Sequence, residues 1–152
     1  MHSIRIVLAL TLLAGATAAY AQAPTGVEFL NSGKVVGPGM PLSEGVRVGD
    51  TLYLSGVVGL VPGETKVVPG GLVPEARQTL KNIQTMLEAQ GLSLKNVVKC
   101  TVMLADIAEW GAFNQVYKEF FSAPYPARAA FGANGLALGA RVEVECIAAW
   151  PR

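Results

Sequence analysis

The sequence is almost without histidine, because the only one among its 152 residues is His2. The rest of the chain therefore offers no residue for a histidine-based catalytic triad, a histidine general base or a histidine metal site. Cysteine is nearly as scarce, and Cys100 and Cys146 alone cannot complete a tetrahedral zinc site. Any chemistry must depend on arginine, carboxylates, hydroxyls, backbone groups and water.

Excess charge of either sign is also missing. Twelve Lys and Arg residues stand against eleven Asp and Glu, and no stripe of basic residues alternates with aromatic ones. The sequence has no G-x-x-x-x-G-K-[ST] loop and no G-x-G-x-x-G between a strand and a helix. We therefore expect no nucleic-acid partner, no bound metal and no organic cofactor.

The first 21 residues have the pattern of a secretory signal peptide. Met1–Arg5 carries positive charge, Ile6–Gly15 is almost wholly apolar, and Ala19-Tyr20-Ala21 has small residues at both cleavage positions. A membrane anchor is the alternative, but the apolar run is shorter than the ~20 residues that a spanning helix needs. We expect cleavage after Ala21, one domain over residues 22–152, a periplasmic or secreted location and no membrane association after cleavage.

Hydrophobic periodicity divides the rest of the chain into strands and two amphipathic helices. The predicted helices are Pro74–Gln90 and Ala108–Phe121. The predicted strands are Gly45–Val48, Thr51–Leu60, Asn96–Leu104, Arg128–Gly132 and Ala140–Trp150, with a short edge strand Thr65–Val68 inside the loop Val61–Gly71. This order favours an α+β fold in which one sheet carries both helices on a single face.

The second helix has a start signal and an aromatic stripe. Asp106, with Glu109 three residues later, has the form of a capping box. The aromatic residues at helical spacing, which we expect in the core, are Trp110, Phe113, Tyr117 and Phe120.

Side-chain alternation separates the two faces of the sheet. In the last strand, Val142 and Val144 alternate with Glu143, so Glu143 points to the face that the helices leave uncovered. We expect that mixed face to be covered by a partner subunit. Cys100 and Cys146 fall on the opposite face. An exported protein could oxidise this pair, but cross-strand neighbours often lack disulfide geometry, so we expect buried free thiols.

Arg128 and Glu143 are ionisable residues in segments that are otherwise typical of sheet core. An unpaired charge there costs several kcal/mol, so each is expected to have a partner or a function. Arg128 could be a structural arginine tied to a carboxylate, and Glu143 could be the buried partner of a Lys or Arg. Alternatively, the planar guanidinium could bind a ligand carboxylate through two parallel hydrogen bonds.

Four stretches in order resemble the RidA (YjgF/YER057c/UK114) family of enamine and imine deaminases. They are P-L-S-E-G-V-R-V-G-D-T-L-Y-L-S-G at 41–56, E-A-R-Q-T-L-K-N-I at 75–83, P-A-R at 126–128 and V-E-V-E at 142–145. The resemblance covers nearly all of residues 22–152. It implies a chorismate-mutase-like α+β protomer, a homotrimer whose three sheets line a central barrel, and ligand clefts between subunits.

The resemblance also implies roles for individual residues. Arg128 would bind the substrate carboxylate, and Glu143 would position or activate water. The other cleft residues would be Leu42, Ser55, Gly56, Asn114 and Ala130. Leu42 replaces the tyrosine of the family's usual P-Y-S-Q, and only backbone contacts at Gly56 and Ala130 could be retained. Ser55 has no base to activate it and would line the cleft. A solvent-facing helix position is the alternative for Asn114.

The implied activity is hydrolysis of 2-imino and 2-enamino acids, such as 2-aminoacrylate, to 2-oxo acids and ammonia. This reaction needs orientation, a held water and a proton acceptor, and it needs no cofactor. The alternative is a non-catalytic trimer of the same fold that binds small carboxylates or acts as a holdase. An RNA-cleaving activity is disfavoured by the balanced charge and the missing histidine.

Overall fold

One sheet of seven strands runs through the computed structural model, which describes residues 24–151. The predicted signal peptide, residues 1–21, lies outside these residues. The strands are β1 Val27–Leu30, β2 Gly45–Val48, β3 Thr51–Leu54, β4 Val57–Val58, β5 Val97–Leu104, β6 Ala127–Gly132 and β7 Val142–Ala149, and the helices are α1 Leu72–Glu88 and α2 Trp110–Phe120. Within residues 24–151, no helix is both long and apolar enough to cross a membrane.

The strand order is β1-β2-β3-β7-β5-β6, and β4 also pairs with β7. Only β5 and β6 run parallel, because α2 connects them and returns the chain to the same end of the sheet. Strand β6 therefore forms one edge of the sheet, next to α2. The expected α+β fold, with one sheet and two helices, is confirmed.

The hydrophobic core fills the space between the helices and one face of the sheet. Leu80 and Ile83 of α1 and Phe113 of α2 pack with Val102 of β5 and Val144 of β7, and all five side chains are fully buried. Each such side chain contributes roughly 1.5–3 kcal/mol relative to exposure. The core thereby fixes the helices on one face and leaves the other face open.

Several boundaries differ from those predicted. Strand β1 was not expected, and the predicted strand Thr51–Leu60 is interrupted at Ser55-Gly56 between β3 and β4. The predicted edge strand Thr65–Val68 is reduced to one isolated bridge between Leu60 and Val67. Helix α1 ends at Glu88 with Ala89 as its cap, and Gly91, which was expected to cap it, lies two residues further on, where its positive φ of 72° suits glycine.

The capping box at the start of the second helix was only half right. Asp106 accepts a hydrogen bond from the backbone N–H of Ala108, so it does cap the turn of 3-10 helix Ile107–Glu109. Glu109 does not complete the box. Its carboxylate instead accepts hydrogen bonds from Arg141, which ties the start of α2 to the residue before β7.

The two cysteines form a disulfide bond, so the expectation of free thiols was wrong. Cys100 of β5 and Cys146 of β7 are directly opposite each other, with 4.1 Å between their Cα atoms. Both are buried against the core. The alternation of side chains placed both on one face, but it did not reveal this register. The bond joins β5, which pairs with β6, to β7, which carries Glu143.

We expect the double substitution Cys100→Ala/Cys146→Ala to lower the free energy of unfolding by about 2–5 kcal/mol. The disulfide closes a loop with a sequence separation of 46 residues, so its removal enlarges the unfolded ensemble. Denaturant unfolding at one protein concentration would measure the loss. Two thiols that react with an alkylating agent in the denatured, unreduced protein would contradict the bond.

A buried carboxylate fixes the segment that precedes β2. Glu44 is only 3% exposed, and it accepts hydrogen bonds from the backbone N–H groups of Ser32, Val35 and Val36 at 2.6, 3.1 and 3.0 Å. Its own backbone N–H donates to Asn31 Oδ1 at 2.9 Å. The irregular chain between β1 and β2 therefore folds around one side chain.

Burial acts to raise the pKa of Glu44, but its hydrogen bonds from the Ser32 hydroxyl and from the backbone outweigh burial and lower that pKa. At pH values above the pKa of an ordinary glutamate, the ionised carboxylate thus stabilises the fold. That contribution is lost as the pH falls through the lowered pKa of Glu44.

We expect Glu44→Ala to lower the free energy of unfolding by about 1–3 kcal/mol at neutral pH, because buried N–H groups lose their acceptor. The difference from wild type should shrink as the solution is acidified. Glu64→Ala is a matched control, since Glu64 forms only an exposed ion pair with Lys66. Equal stabilities of the two variants at neutral pH would contradict this role for Glu44.

Candidate functional site

Arg128 projects from edge strand β6 onto α2. It is opposite Cys100 in the register of β5 and β6, so it shares the face of the sheet on which the helices pack. Its guanidinium lies 4.5 Å from the centre of the Tyr117 ring and donates a hydrogen bond to Asn114 Oδ1 at 2.5 Å. Asn114 and Tyr117 are three residues apart in α2 and therefore face the same strand.

No ion pair involves Arg128 among residues 24–151. The alternative of a structural arginine tied to a carboxylate therefore has no support in this part of the chain. Burial raises the pKa of Tyr117, while the charge of Arg128 acts in the opposite direction. The ring thus stays neutral and presents a π-face to the guanidinium. The guanidinium keeps most of its N–H donors for a ligand.

Two cavities share Arg128 as a lining residue. The larger, of about 570 Å³, is lined by residues of α2 and the following loop, including Trp110, Asn114, Lys118 and Tyr125. The smaller, of about 430 Å³, is lined by Ile107, Trp110, Arg128 and Ala130. Both volumes lie in the range of small-molecule sites.

Trp110 is not a core residue, contrary to the prediction from the aromatic stripe. Its side chain is 47% exposed and lines both cavities, whereas Phe113 and Tyr117 are buried as expected. Trp110 is the first residue of α2 and lies beyond the part of the helix that packs on the sheet. The buried Tyr117 hydroxyl has no hydrogen-bond partner among the described residues.

Glu143 points to the other face of the sheet, as its alternation with Val142 and Val144 predicted. It is opposite Val58 of β4 and Met103 of β5. No ion pair involves it within residues 24–151, so the structure offers no Lys or Arg there as its buried partner. Burial raises the pKa of Glu143, and the negative charge of Glu145 raises it further.

The carboxylate of Glu143 lies against the backbone of Gly56. A Cβ atom at Gly56 would overlap Glu143 Oε1, so only glycine leaves room for this side-chain position. The preceding residue, Ser55, donates its hydroxyl to the Ser43 carbonyl at 2.6 Å. Ser55 is therefore engaged in fixing the chain next to Leu42 and is not placed as a nucleophile.

The expected site residues form two groups rather than one. Arg128, Asn114 and Ala130 lie on the helix side of β6, while Glu143 and Gly56 lie where the sheet is uncovered. On β5, Cys100 is in register with Arg128, and Met103 is in register with Glu143. These two β5 residues are three positions apart, so their side chains point to opposite faces of the sheet. A single protomer thus does not bring Arg128 and Glu143 together. Alternation predicted the side of Glu143, but the side of Arg128 required the register of β6.

Comparison with known proteins identifies the family. The model of the family described as endoribonuclease L-PSP matches residues 34–150. A protein from Mus musculus named 2-iminobutanoate/2-iminopropanoate deaminase is 49% identical over 108 residues, which are 71% of this chain and 80% of the relative. The chain belongs to the RidA family. The expected family and its fold are thereby confirmed.

Solved structures of RidA-family proteins superpose on nearly their whole length. RidA from the Antarctic bacterium Psychrobacter sp. PAMC 21119 has a TM-score of 0.75 and 35% identity, covering 80% of this chain and 98% of its own. E. coli TdcF with bound serine has a TM-score of 0.75 and 28% identity, covering 82% and 99%. Within residues 24–151, this RidA-family chain has no cluster of three or more His, Cys, Asp or Glu side chains that could hold a metal ion.

Proposed function

We propose that this chain is a hydrolytic deaminase of 2-imino and 2-enamino acids, which it converts to 2-oxo acids and ammonia. The observation that carries the proposal is Arg128, whose guanidinium has no ion-pair partner among the described residues and lines two cavities of ligand size. The imine-deaminase names of relatives such as the mouse protein support it.

Arg128 binds the substrate carboxylate. Asn114 holds one guanidinium nitrogen, and the Tyr117 ring supports the plane of the group, so its remaining donors are oriented before the ligand arrives. A planar guanidinium matches a carboxylate with two parallel hydrogen bonds. The 2-imino acid is then fixed by the end that does not react.

Glu143 accepts the proton of the attacking water. As the water oxygen bonds to C2 of the imine, the C=N π electron pair moves to nitrogen, and one water proton passes to the carboxylate and then to the nitrogen, which gives a 2-amino-2-hydroxy acid. The carboxylate next takes the remaining hydroxyl proton and delivers it to the nitrogen. The C–N bond breaks with its electron pair leaving on ammonia, the O–H electron pair forms the C=O bond, and no oxidant or reductant is consumed. The raised pKa makes Glu143 a stronger base than an ordinary glutamate.

A complete site requires Arg128 of one protomer and Glu143 of another, because the two lie on opposite faces of the sheet. The uncovered face also carries the exposed aromatic side chains Phe29, Tyr53 and Phe131, which a neighbouring sheet would bury. We therefore propose a homotrimer with clefts between subunits. Light scattering should give a trimer, and a monomer at micromolar concentration would contradict it.

A coupled assay tests the activity. An amino-acid oxidase generates the imine from each amino acid of a broad panel, and semicarbazide traps the imine that remains. The protein should lower the yield of trapped imine and raise the rate of ammonia release, without changing the rate of the oxidase. Failure with every amino acid would favour the alternative of a non-catalytic carboxylate-binding protein, for which the absence of a hydroxyl at Leu42 is the specific support.

We also propose that the protein is exported, on the evidence of its signal-like first 21 residues. Mass spectrometry of the exported protein should find Gln22 as the first residue. An exported chain that begins at Met1 would contradict cleavage.

A further inference from the structure

The backbone that lies against Glu143 belongs to a β-bulge at Ser55-Gly56, between β3 and β4. The ladder pairs on either side of it are Tyr53 with Ile147 and Val57 with Val144. Between these pairs, residues 54–56 face residues 145–146, so three residues are opposite two. Such an extra residue kinks its strand and is common next to functional sites. Here it brings the backbone of Gly56 against the Glu143 carboxylate.

Ser55 ties the bulge to the segment that precedes β2. Its hydroxyl donates a hydrogen bond to the Ser43 carbonyl at 2.6 Å, and its backbone N–H donates to the Glu44 carbonyl at 3.0 Å. The ladder of β2 and β3 ends one residue earlier, so these two bonds carry the contact one residue further. The path of the chain through the bulge therefore depends on the position of residues 43–44.

The buried carboxylate of Glu44 fixes that position. Its Oε2 accepts a hydrogen bond from the backbone N–H of Ser32, and its Oε1 accepts from those of Val35 and Val36. Glu44 cannot move without leaving buried donors unpaired. A glutamine amide would turn its own N–H groups towards at least one of these donors, so the position favours a carboxylate.

We propose that Glu44 is a positioning residue for Glu143 and acts through Ser55. This inference rests on the proposed deaminase activity, in which Glu143 accepts the proton of water. The Glu143 carboxylate fits against the backbone only because Gly56 has no Cβ atom, so a shift of the bulge displaces it. Arg128 lies on the other face of the sheet, so the path affects turnover rather than carboxylate binding.

The test breaks the path at each of its two steps. Glu44→Gln and Ser55→Ala should each lower kcat in the coupled assay by about tenfold, because a displacement of about 1 Å can cost about a hundredfold and neither variant removes the proton acceptor. The Kd of a 2-oxo acid should not change. Ser55→Thr keeps the hydroxyl and should retain kcat. The double variant should lose little more than the larger single loss, since both changes act on one path.

Leu87→Ala is the control for lost stability. Leu87 is fully buried in the last turn of α1 and makes none of these hydrogen bonds, and its truncation destabilises the core. It should keep the wild-type kcat at a temperature where every variant is folded. An equal loss of kcat in Leu87→Ala, or single losses that multiply in the double variant, would overturn the path. A raised Kd with unchanged kcat in Ser55→Ala would also overturn it, because Ser55 would then act on the ligand.

Titration of the Glu143 carboxyl by NMR tests the path without turnover. Burial and the charge of Glu145 raise the pKa of Glu143, and its neighbours on β4 and Met103 of β5 carry no charge. A displaced bulge admits water, so this pKa should fall towards that of an ordinary glutamate in Glu44→Gln and in Ser55→Ala. Such a fall, with a wild type that hydrolyses no imine, would retain the path and overturn the deaminase. A pKa of Glu143 that neither variant changes would overturn the path, even in an active deaminase.

Discussion

Arg128→Ala should abolish both the binding of small carboxylates and the hydrolysis of imines. The guanidinium is the one group of the candidate site that carries a positive charge, has no ion-pair partner among residues 24–151 and lines both cavities. A charge-assisted hydrogen bond contributes about 1.5–3 kcal/mol, so affinity should fall by at least about 10–150-fold. Calorimetry with a 2-oxo acid and the coupled imine assay would measure the two losses.

The sequence offers a matched control for this substitution. The guanidinium of Arg47 also lies over an aromatic ring, at 4.3 Å from the centre of Trp150, but Arg47 lines neither cavity. Arg47→Ala therefore removes the same kind of contact without removing a ligand-binding charge. Arg128→Lys keeps the charge and loses the planar pair of donors, so it should restore affinity only in part. Unchanged carboxylate affinity in Arg128→Ala would show that the site is assigned to the wrong residue.

The sequence predicted those features that depend on local periodicity. The strand that contains Glu143 alternates between apolar and polar residues from Arg141 to Cys146, which was enough to assign Glu143 to the uncovered face. Helix α1 was recognisable from its apolar spacing and from Gly91, which follows shortly after its end. The resemblance to the RidA family then supplied the roles of Arg128 and Glu143, which residue types alone left open.

What could not be predicted depends on register and on contacts between distant segments. Whether Cys100 and Cys146 meet depends on the offset between β5 and β7. A shift of that offset by two residues leaves the same side chains facing the core, so the sequence pattern does not select one offset. The hydrogen bonds of Glu44 are made to residues 8 to 12 positions earlier in an irregular segment, which has no period to read. Trp110 fits the helical stripe, but it is the first residue of α2 and precedes the buried part of that helix, which begins at Phe113.

Glu143 and Arg128 are held by different means, which follow from their places in the sheet. Arg128 is oriented by two side chains of a packed helix, whereas Glu143 is positioned by the absence of a side chain at Gly56. The interruption of the predicted strand at Ser55-Gly56 creates that space. The disulfide joins β5, the neighbour of β6, to β7, so it fixes the relative positions of the strands that carry the two groups.

Glu143→Gln should lower the turnover number by on the order of a hundredfold while changing ligand affinity little. The amide keeps the shape of the side chain beside Gly56 but cannot accept a proton from water. The measurements are kcat in the coupled assay and the Kd of a 2-oxo acid. The matched control is Glu145→Gln, which neutralises the next outward-facing carboxylate of β7 and leaves the proton acceptor in place.

The pH dependence gives a second measurement of the same role. Burial, and to a smaller extent the charge of Glu145, raise the pKa of Glu143, and only its ionised form accepts a proton. Activity should therefore be present above that raised pKa and be lost as pH falls through it, at a higher pH than for an ordinary glutamate. Glu145→Gln removes the repulsion and should move this loss to lower pH, whereas Glu143→Gln should abolish it. Full turnover in Glu143→Gln, or an acid limb that persists in Glu143→Gln, would show that another group acts on water.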